Sequence, residues 1–401
     1  MVLPTRASDW GADQPFRTMN SCEMGDKYGL GRVRCHVVSE SNAANTSEPV
    51  RLARSTLDAG DKDLRAVADH AFQVNGNTQE ALRLAIALGV RLDGAGPGSG
   101  RTERLFDTLA TVAAADLTAA RVVEAHLDAL SILEQAAESG SGIHVESGNG
   151  RTWGVFAAEG RGTRLEARQT ESGWRLDGVK PWCSLAGALS HALVTAHTSE
   201  TTRRLFAVDL RVPGITVSDG SWVARGLASL PSGPVDFRGV PAVPVGADGW
   251  YLDRPGFAWG GIGVAACWWG GAVGVARRVY REAGERTPDQ VSLAHLGAID
   301  MLLTASGQAL AAAASAIDDG TATGTLGAVR AARVRGIVAR TAEQVIERAG
   351  HALGPEPLAF DARHAQRVAD LQLYIRQHHA ERDEARLGAL LLDGARGVSP
   401  W

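Results

Sequence analysis

Residues 174–196 read WRLDGVKPWCSLAGALSHALVTA, and this stretch decides how the rest of the chain is read. Apolar and polar residues alternate from Trp174, an Asp177-Gly178 pair interrupts them, and an apolar strand resumes toward Ala196. An Asp-Gly pair between alternating runs predicts a hairpin turn, because both of its residues tolerate positive φ. Beyond it Trp182, Cys183 and Ser184 stand side by side. A sheet edge with an indole and a small hydroxyl offers a planar ligand one flat apolar face and one hydrogen-bonding group. A tryptophan on a half-buried strand also serves as plain packing, so its neighbours have to decide.

Working outward, the pattern keeps period two from Gly140 to Asp253, with turn signals at Gly148-Asn149-Gly150, Ser172-Gly173 and Ser232-Gly233-Pro234. That predicts a domain of short antiparallel strands. Eight of the ten tryptophans fall between Trp153 and Trp269, which concentrates large aromatic surfaces on this domain and the helix after it. Before it, apolar spacing near 3.6 predicts helices around Leu64–Ala71, Glu80–Leu88 and one long amphipathic helix over 102–137. The polar face of that helix carries Asp116, Arg121, Glu124 and Asp128, and His126 at its apolar edge reads as a packing residue. The glycine-rich run from Asp93 to Thr102 lacks the lysine and first glycine of a phosphate-binding loop, so a flexible loop is expected. After Phe257 four helices follow, at about 257–284, 291–318, 326–350 and 360–392, and short turns between them predict an antiparallel bundle.

The Lys180-x-Trp182-x-Ser184 segment, in this order of helices, β domain and four helices over about residues 55–395, resembles the acyl-CoA dehydrogenase superfamily. The resemblance implies an α+β fold: an N-terminal helical domain (51–139), a middle antiparallel β domain (140–255) and a C-terminal four-helix bundle (256–395); residues 1–50, polar and without a sustained period, read as a poorly ordered extension before it. It implies FAD as cofactor, with Trp182, Cys183 and Ser184 at the ring and the hydroxyl at its N5. Backbone amides near Gly160 stand where the family has further flavin contacts, although its usual Thr-Glu-Pro and Gly-Ser-Asp side chains are missing there. The turn from Gly350 to Gly354 stands near the flavin's adenosine side. Arg277, Arg281 and Arg286 are candidates for the arginine that meets a neighbouring subunit's pyrophosphate.

Such enzymes need a base for the α-proton of a thioester while the ring accepts hydride. Arg376 stands where most of the family has its glutamate, and arginine is no base at neutral pH. The alternative location, Trp259 to Gly263, has no carboxylate. His378 and His379 are the nearest groups able to act as a base near pH 7, although the charges from Glu381 to Arg386 also fit a solvated helix face. Three function classes follow. The first is FAD-dependent α,β-dehydrogenation of an acyl-CoA or related thioester, an oxidoreductase acting on CH–CH donors. The second is a flavin-dependent monooxygenase or oxidase on the same scaffold, and the third is a noncatalytic subunit of a heteromeric dehydrogenase. The expected partners are a small-molecule substrate, an electron-accepting flavoprotein or oxygen, and further copies in a homodimer or homotetramer.

Composition adds bounds. The 401 residues, 45% hydrophobic and 21% charged with a net charge of -4, suit a globular protein and show no basic stripe for nucleic acid. Cys22, Cys35, Cys183 and Cys267 are too scattered for a zinc motif or disulfide framework, and the first residues do not read as a secretory leader, so a cytoplasmic setting is expected. The uncharged run Pro255–Ala276 carries seven glycines and reads as a closely packed buried helix rather than a membrane span.

Overall fold

Asp116 divides what the sequence reads as one long helix. In the computed structural model, which describes residues 48–52, 60–139, 145, 148, 150–218, 220 and 222–395, Asp116 is extended. The extension expected over 1–50 lies almost wholly outside those residues. The Asp116 carboxylate accepts the Ala119 N–H at 2.7 Å and the Gly76 N–H at 2.8 Å. The first bond caps a new helix, a better use of a short carboxylate than an interior helical position. Among the described residues the N-terminal part therefore has four helices: α1 (Gly60–Val74), α2 (Thr78–Arg91), α3 (Thr102–Ala115) and α4 (Leu117–Glu138). The glycine-rich loop between α2 and α3 is not loose as expected. The Asp318 carboxylate accepts the Gly100 and Thr102 N–H groups at 3.0 Å each and so occupies the N-terminus of α3.

Among the described residues seven strands follow: β1 (Trp153–Phe156), β2 (Leu165–Thr170), β3 (Gly173–Lys180), β4 (His191–His197), β5 (Arg203–Asp209), β6 (Ile215–Val217) and β7 (Val235–Val245). Their order is β1-β4-β2-β3-β7-β5, with β5 also pairing β4 and β6 pairing β7. The sheet is not purely antiparallel. β1 runs parallel to β4 in the register Trp153↔His191 to Phe156↔Val194, and β2 touches β4 in parallel at Glu166↔His197. The reason is connectivity: the β2–β3 hairpin intervenes between β1 and β4, so the chain crosses over before it returns.

The hairpin turn lies elsewhere than expected. β2 and β3 meet at Thr170↔Gly173, which puts the turn at Glu171-Ser172, and Asp177-Gly178 lies inside β3. There the register to β7 shifts between Leu176 and Gly178, and the Asp177 carboxylate accepts the Gly239 N–H at 2.7 Å. Gly178 has φ +117°, and a Cβ on it would collide with the Arg164 carbonyl oxygen. The pair that signals a turn thus serves a bulge that bends the strand toward Trp182. Gly178→Ala is expected to cost about 1–3 kcal/mol, the range for a strained backbone position, read as a lowered denaturant midpoint at unchanged slope.

The last part comprises α5 (Trp250–Asp253), α6 (Pro255–Glu285), α7 (Gln290–Asp318), α8 (Gly324–Leu353), α9 (Glu356–Phe360), α10 (Ala362–Tyr374) and α11 (Glu381–Ala395). The uncharged run forms the first two thirds of α6, with Ile262, Ala266, Cys267 and Trp268 fully buried. α6 and α7 are both long and apolar enough to cross a membrane, but two thirds of the apolar window of α6 is covered by the rest of the chain. Gly270 explains its glycines: a Cβ there would run into the Ala110 backbone, so the missing side chain lets α6 lie directly on α3. The helix expected over 360–392 is broken. After Tyr374 the chain passes through a 3-10 turn (Ile375–Gln377), His378 is extended, Ala380 is left-handed at φ +49°, and α11 begins at Glu381. Among the described residues a continuous core joins Phe106 of α3, Phe206 and Phe237 of the sheet, Trp268 of α6 and Tyr374 of α10.

Candidate functional site

The bend in β3 delivers Lys180 inward and Trp182 outward. The Lys180 ammonium is buried and donates to Glu159 at 2.7 Å and to the Thr195 hydroxyl at 2.8 Å. Burial depresses its pKa, and the Glu159 carboxylate counters that. With the lysine anchored, the chain turns through Trp182 at φ +58°, leaving the indole 60% exposed. Cys183 is buried, and burial pushes its thiol up to about 12, so it is no nucleophile at neutral pH. The Ser184 hydroxyl lies 2.8 Å from that of Ser232 and lines a cavity of about 20 Å³ with Arg121, Trp153, Phe156, Leu189 and Leu230.

Arg121 leads from that cavity into a buried charged cluster. Its guanidinium donates to Glu124 at 2.9 Å, and the Tyr374 hydroxyl donates to the same carboxylate oxygen at 3.2 Å. Arg121, Glu124 and Asp128 are the polar face read from the sequence, yet that face points into the protein. Burial raises the pKa of both carboxylates, with Arg121 opposing it at Glu124 and Arg254 at Asp128. The signal available in the sequence was the spacing: 121, 124 and 128 form one stripe of a helix whose other faces are apolar, and such a helix is enclosed on all sides. His126 behaves as expected, being buried, with its Nδ1 accepting the Trp153 N–H at 3.3 Å.

On the far side Trp268 sets its ring edge-on to both Tyr374 and His378, with centroids 6.4 and 6.5 Å apart. The Arg335 guanidinium stacks 4.7 Å over the Trp268 ring and donates to the carbonyls of Gly261 and Gln377. The Trp268 Nε1–H is buried with no acceptor. His378 is buried, its Nδ1 accepts the Ala380 N–H at 3.2 Å, and its Nε2 stands 3.9 Å from Asp383. Burial lowers its pKa, so the imidazole is neutral at pH 7.

Of the residues singled out in the sequence, the structure gathers Ser184 and His378 around this cluster, whereas Trp182 is exposed and is not among the residues lining the Ser184 cavity. Gly160 lies close against Pro181. The two histidines are not helical neighbours as expected: His379 faces solvent beside Asp383. Arg376 also lies outward, paired with Glu343 on the surface. Arg281 sits near Asp361 at 3.9 Å, and Gly350 and Gly354 lie at the end of α8, with Gly354 as its cap at φ +67°. Neither Arg281 nor these two glycines lines the Ser184 cavity. Arg121, Glu124, Asp128, Trp268 and Arg335 are among the members of the cluster that the sequence did not single out as site residues.

No protein-family model and no curated protein sequence matches the chain. Solved structures do match it. KijD3, in complex with FMN and dTDP-3-amino-2,3,6-trideoxy-4-keto-3-methyl-D-glucose, aligns with a TM-score of 0.71 at 18% identity over 89% of this chain and 97% of its own. Butyryl-CoA dehydrogenase from Megasphaera elsdenii aligns with a TM-score of 0.71 at 17% identity over 85% of this chain and 100% of its own. The chain has the acyl-CoA dehydrogenase fold. The dibenzothiophene monooxygenase TdsC from Paenibacillus sp. A11-2, in complex with FMN and indole, aligns with a TM-score of 0.67 at 15% identity over 83% of this chain and 96% of its own. On this acyl-CoA dehydrogenase fold the stretch Trp259–Gly263 contributes no carboxylate of its own, but the Asp128 carboxylate of α4 lies so close to Gly260 that a side chain there would meet it.

Proposed function

We propose that the chain is a flavin-dependent oxidoreductase, and that its reaction is an oxygenation of a small molecule rather than dehydrogenation of a thioester. The residues suit a flavin ring in kind: the exposed indole of Trp182, the hydroxyl of Ser184 and the guanidinium of Arg121. The cavity beside Ser184, at about 20 Å³, has room for about one water. The cavity is too small for the ring, so Trp182 and Ser184 would hold it outside, the indole offering a stacking face and the hydroxyl a hydrogen bond. KijD3 and TdsC, both solved with FMN, support FMN as strongly as FAD for this role.

A bound reduced flavin supplies two electrons to dioxygen. This chain's own groups then have three tasks. Phe156, Leu189 and Leu230 of the apolar lining would keep water from the side of the reacting centre that faces the cavity. The Arg121–Glu124–Tyr374 set holds a fixed positive and negative pair beside the cavity. Neutral His378 takes or gives a proton at Nε2. The observation that carries the oxygenase reading is the state of the carboxylates. Glu124 is bonded to Arg121 and Arg376 faces the surface, so neither is a ready base for a thioester α-proton, which leaves the imidazole and the buried Asp128 as proton carriers.

Dehydrogenation of a thioester is the second reading, favoured by the buried Asp128 carboxylate against Gly260, whose raised pKa suits a base. Anaerobic mixing of flavin-loaded protein with butyryl-CoA separates the two. Unbleached flavin is expected, together with an oxygen-bearing product when reduced FMN, oxygen and indole as a first probe are supplied. Bleaching by the thioester contradicts the oxygenase reading. Trp182→Ala is expected to raise the flavin Kd about tenfold or more, since the indole supplies the stacking face. Because the side chain is exposed, its folding stability should change by no more than about 0.5 kcal/mol, a pairing that fluorescence titration and denaturation check together.

A further inference from the structure

The break after Tyr374 leaves backbone groups that no helix satisfies. The last carbonyls of a helix have no partner within it, and the Gln377 carbonyl, one residue before His378, takes its partner from another helix. That partner is Arg335 of α8. Its Nη2 donates to the Gln377 carbonyl at 3.1 Å, and its Nη1 donates to the Gly261 carbonyl of α6 at 2.7 Å. A guanidinium carries only donors, set in one rigid plane, so both bonds have a fixed direction and a fixed spacing. The same group lies 4.7 Å over the Trp268 ring, whose edge meets His378. The imidazole also packs on α8 directly, its Nε2 standing 3.7 Å from where a side chain on Gly336 would begin. One residue thus ties α6 to the segment that carries His378.

We propose that Arg335 is a positioning residue: its fork holds the Ile375–Gln377 turn against α6 and so aims the His378 imidazole. The inference rests on the reading of His378 as a proton carrier. Arg335 does not line the Ser184 cavity, so it acts through the imidazole and not on a small molecule there. Lysine is no substitute. A single ammonium on a flexible stem keeps the charge, but it cannot hold two carbonyls at a set spacing or lie flat on the indole. The groups acting on His378 are Arg335 and Glu343 of α8, Asp383 and Glu384 of α11, and the Trp268 ring of α6. Arg335 is the positive one among them.

A double-mutant cycle of Arg335→Lys and His378→Ala, run with reduced FMN, oxygen and indole, tests the proposal. Arg335→Lys alone is expected to lower kcat about tenfold or more at unchanged KM, the scale of a displaced proton carrier. In the His378→Ala background it should cost nothing further, because the group it aims is gone. Losses that multiply, as a merely structural arginine would give, overturn the proposal and leave the reading of His378 in place. So does wild-type kcat in Arg335→Lys. A wild-type rate in His378→Ala removes both. A second readout needs no turnover: NMR of the histidine rings, with His378 identified as the signal lost in His378→Ala. Arg335→Lys should weaken the cross-peaks between the His378 ring and the Trp268 edge. Arg335→Gln, which also removes the charge, should shift the His378 titration midpoint upward, since a neighbouring positive charge disfavours the protonated ring. Unchanged cross-peaks and an unmoved midpoint overturn the proposal without any assay of the reaction.

Discussion

His378→Ala is expected to lower turnover about 10²-fold or more, the usual contribution of a positioned acid or base. The imidazole is held on three sides: Trp268 meets it edge-on, the Ala380 N–H occupies Nδ1, and Asp383 stands 3.9 Å from Nε2. With Nδ1 accepting, the neutral ring carries its proton on Nε2. The sign of the pH dependence follows. Burial lowers the pKa below the ordinary histidine value, with Asp383 opposing it and Arg335 reinforcing it. The neutral ring therefore persists as pH falls through 6.5, and activity should decline only at lower pH. In the alanine variant this acid limb should vanish from the rate profile. The exposed His379 serves as the control, since His379→Ala should leave both rate and profile near wild type. An unchanged rate in His378→Ala removes the imidazole from the chemistry.

Arg121→Ala is expected to destabilise the fold by about 3–5 kcal/mol, the cost of stranding a buried carboxylate. Glu124 is buried and accepts from Arg121 and from the neutral Tyr374 hydroxyl, and Asp128 lies close enough to repel it. The native pKa of Glu124 is already raised by burial, with Arg121 holding it down. Without the arginine it rises further, and the native state then holds a proton that the unfolded state releases. The folded pKa lies above the unfolded one, so stability falls as pH rises between them. The defect should be smaller near pH 5 than near pH 8, and Arg121→Ala combined with Glu124→Gln should recover part of the loss. Urea denaturation at the two pH values gives both numbers. A defect that neither pH nor the second substitution changes would mean that Arg121 contributes packing rather than charge.

Much of the α+β architecture was legible because it rests on periodicity. Helices at spacing 3.6, strands at period two and a glycine-rich buried α6 are all written in local pattern, and the structure contains them. What could not be read depends on contacts between distant segments. Asp177-Gly178 has the composition of a turn, but its pairing with β7 makes it a bulge. Asp116 interrupts a stretch of steady helical periodicity because its carboxylate has two backbone amides to satisfy. The α4 stripe of Arg121, Glu124 and Asp128 looks solvated until α6 and α10 cover it. In the site, Trp182, Ser184 and His378 were visible as residue types suited to a flat ring and a proton. The break after Tyr374, which buries His378 and exposes His379, was not, because left-handed Ala380 carries no sequence mark. Ser232 lies 48 residues from its partner, and only the fold brings the two hydroxyls together.

The central claim is that a flavin ring rests on the outer face of Trp182, with its polar edge at Ser184. Crystals of the chain grown with FMN measure this directly. The account predicts the tricyclic ring stacked on that indole within hydrogen-bonding distance of the Ser184 oxygen. A ring bound anywhere else, or saturating FMN that leaves Trp182 bare, would contradict it.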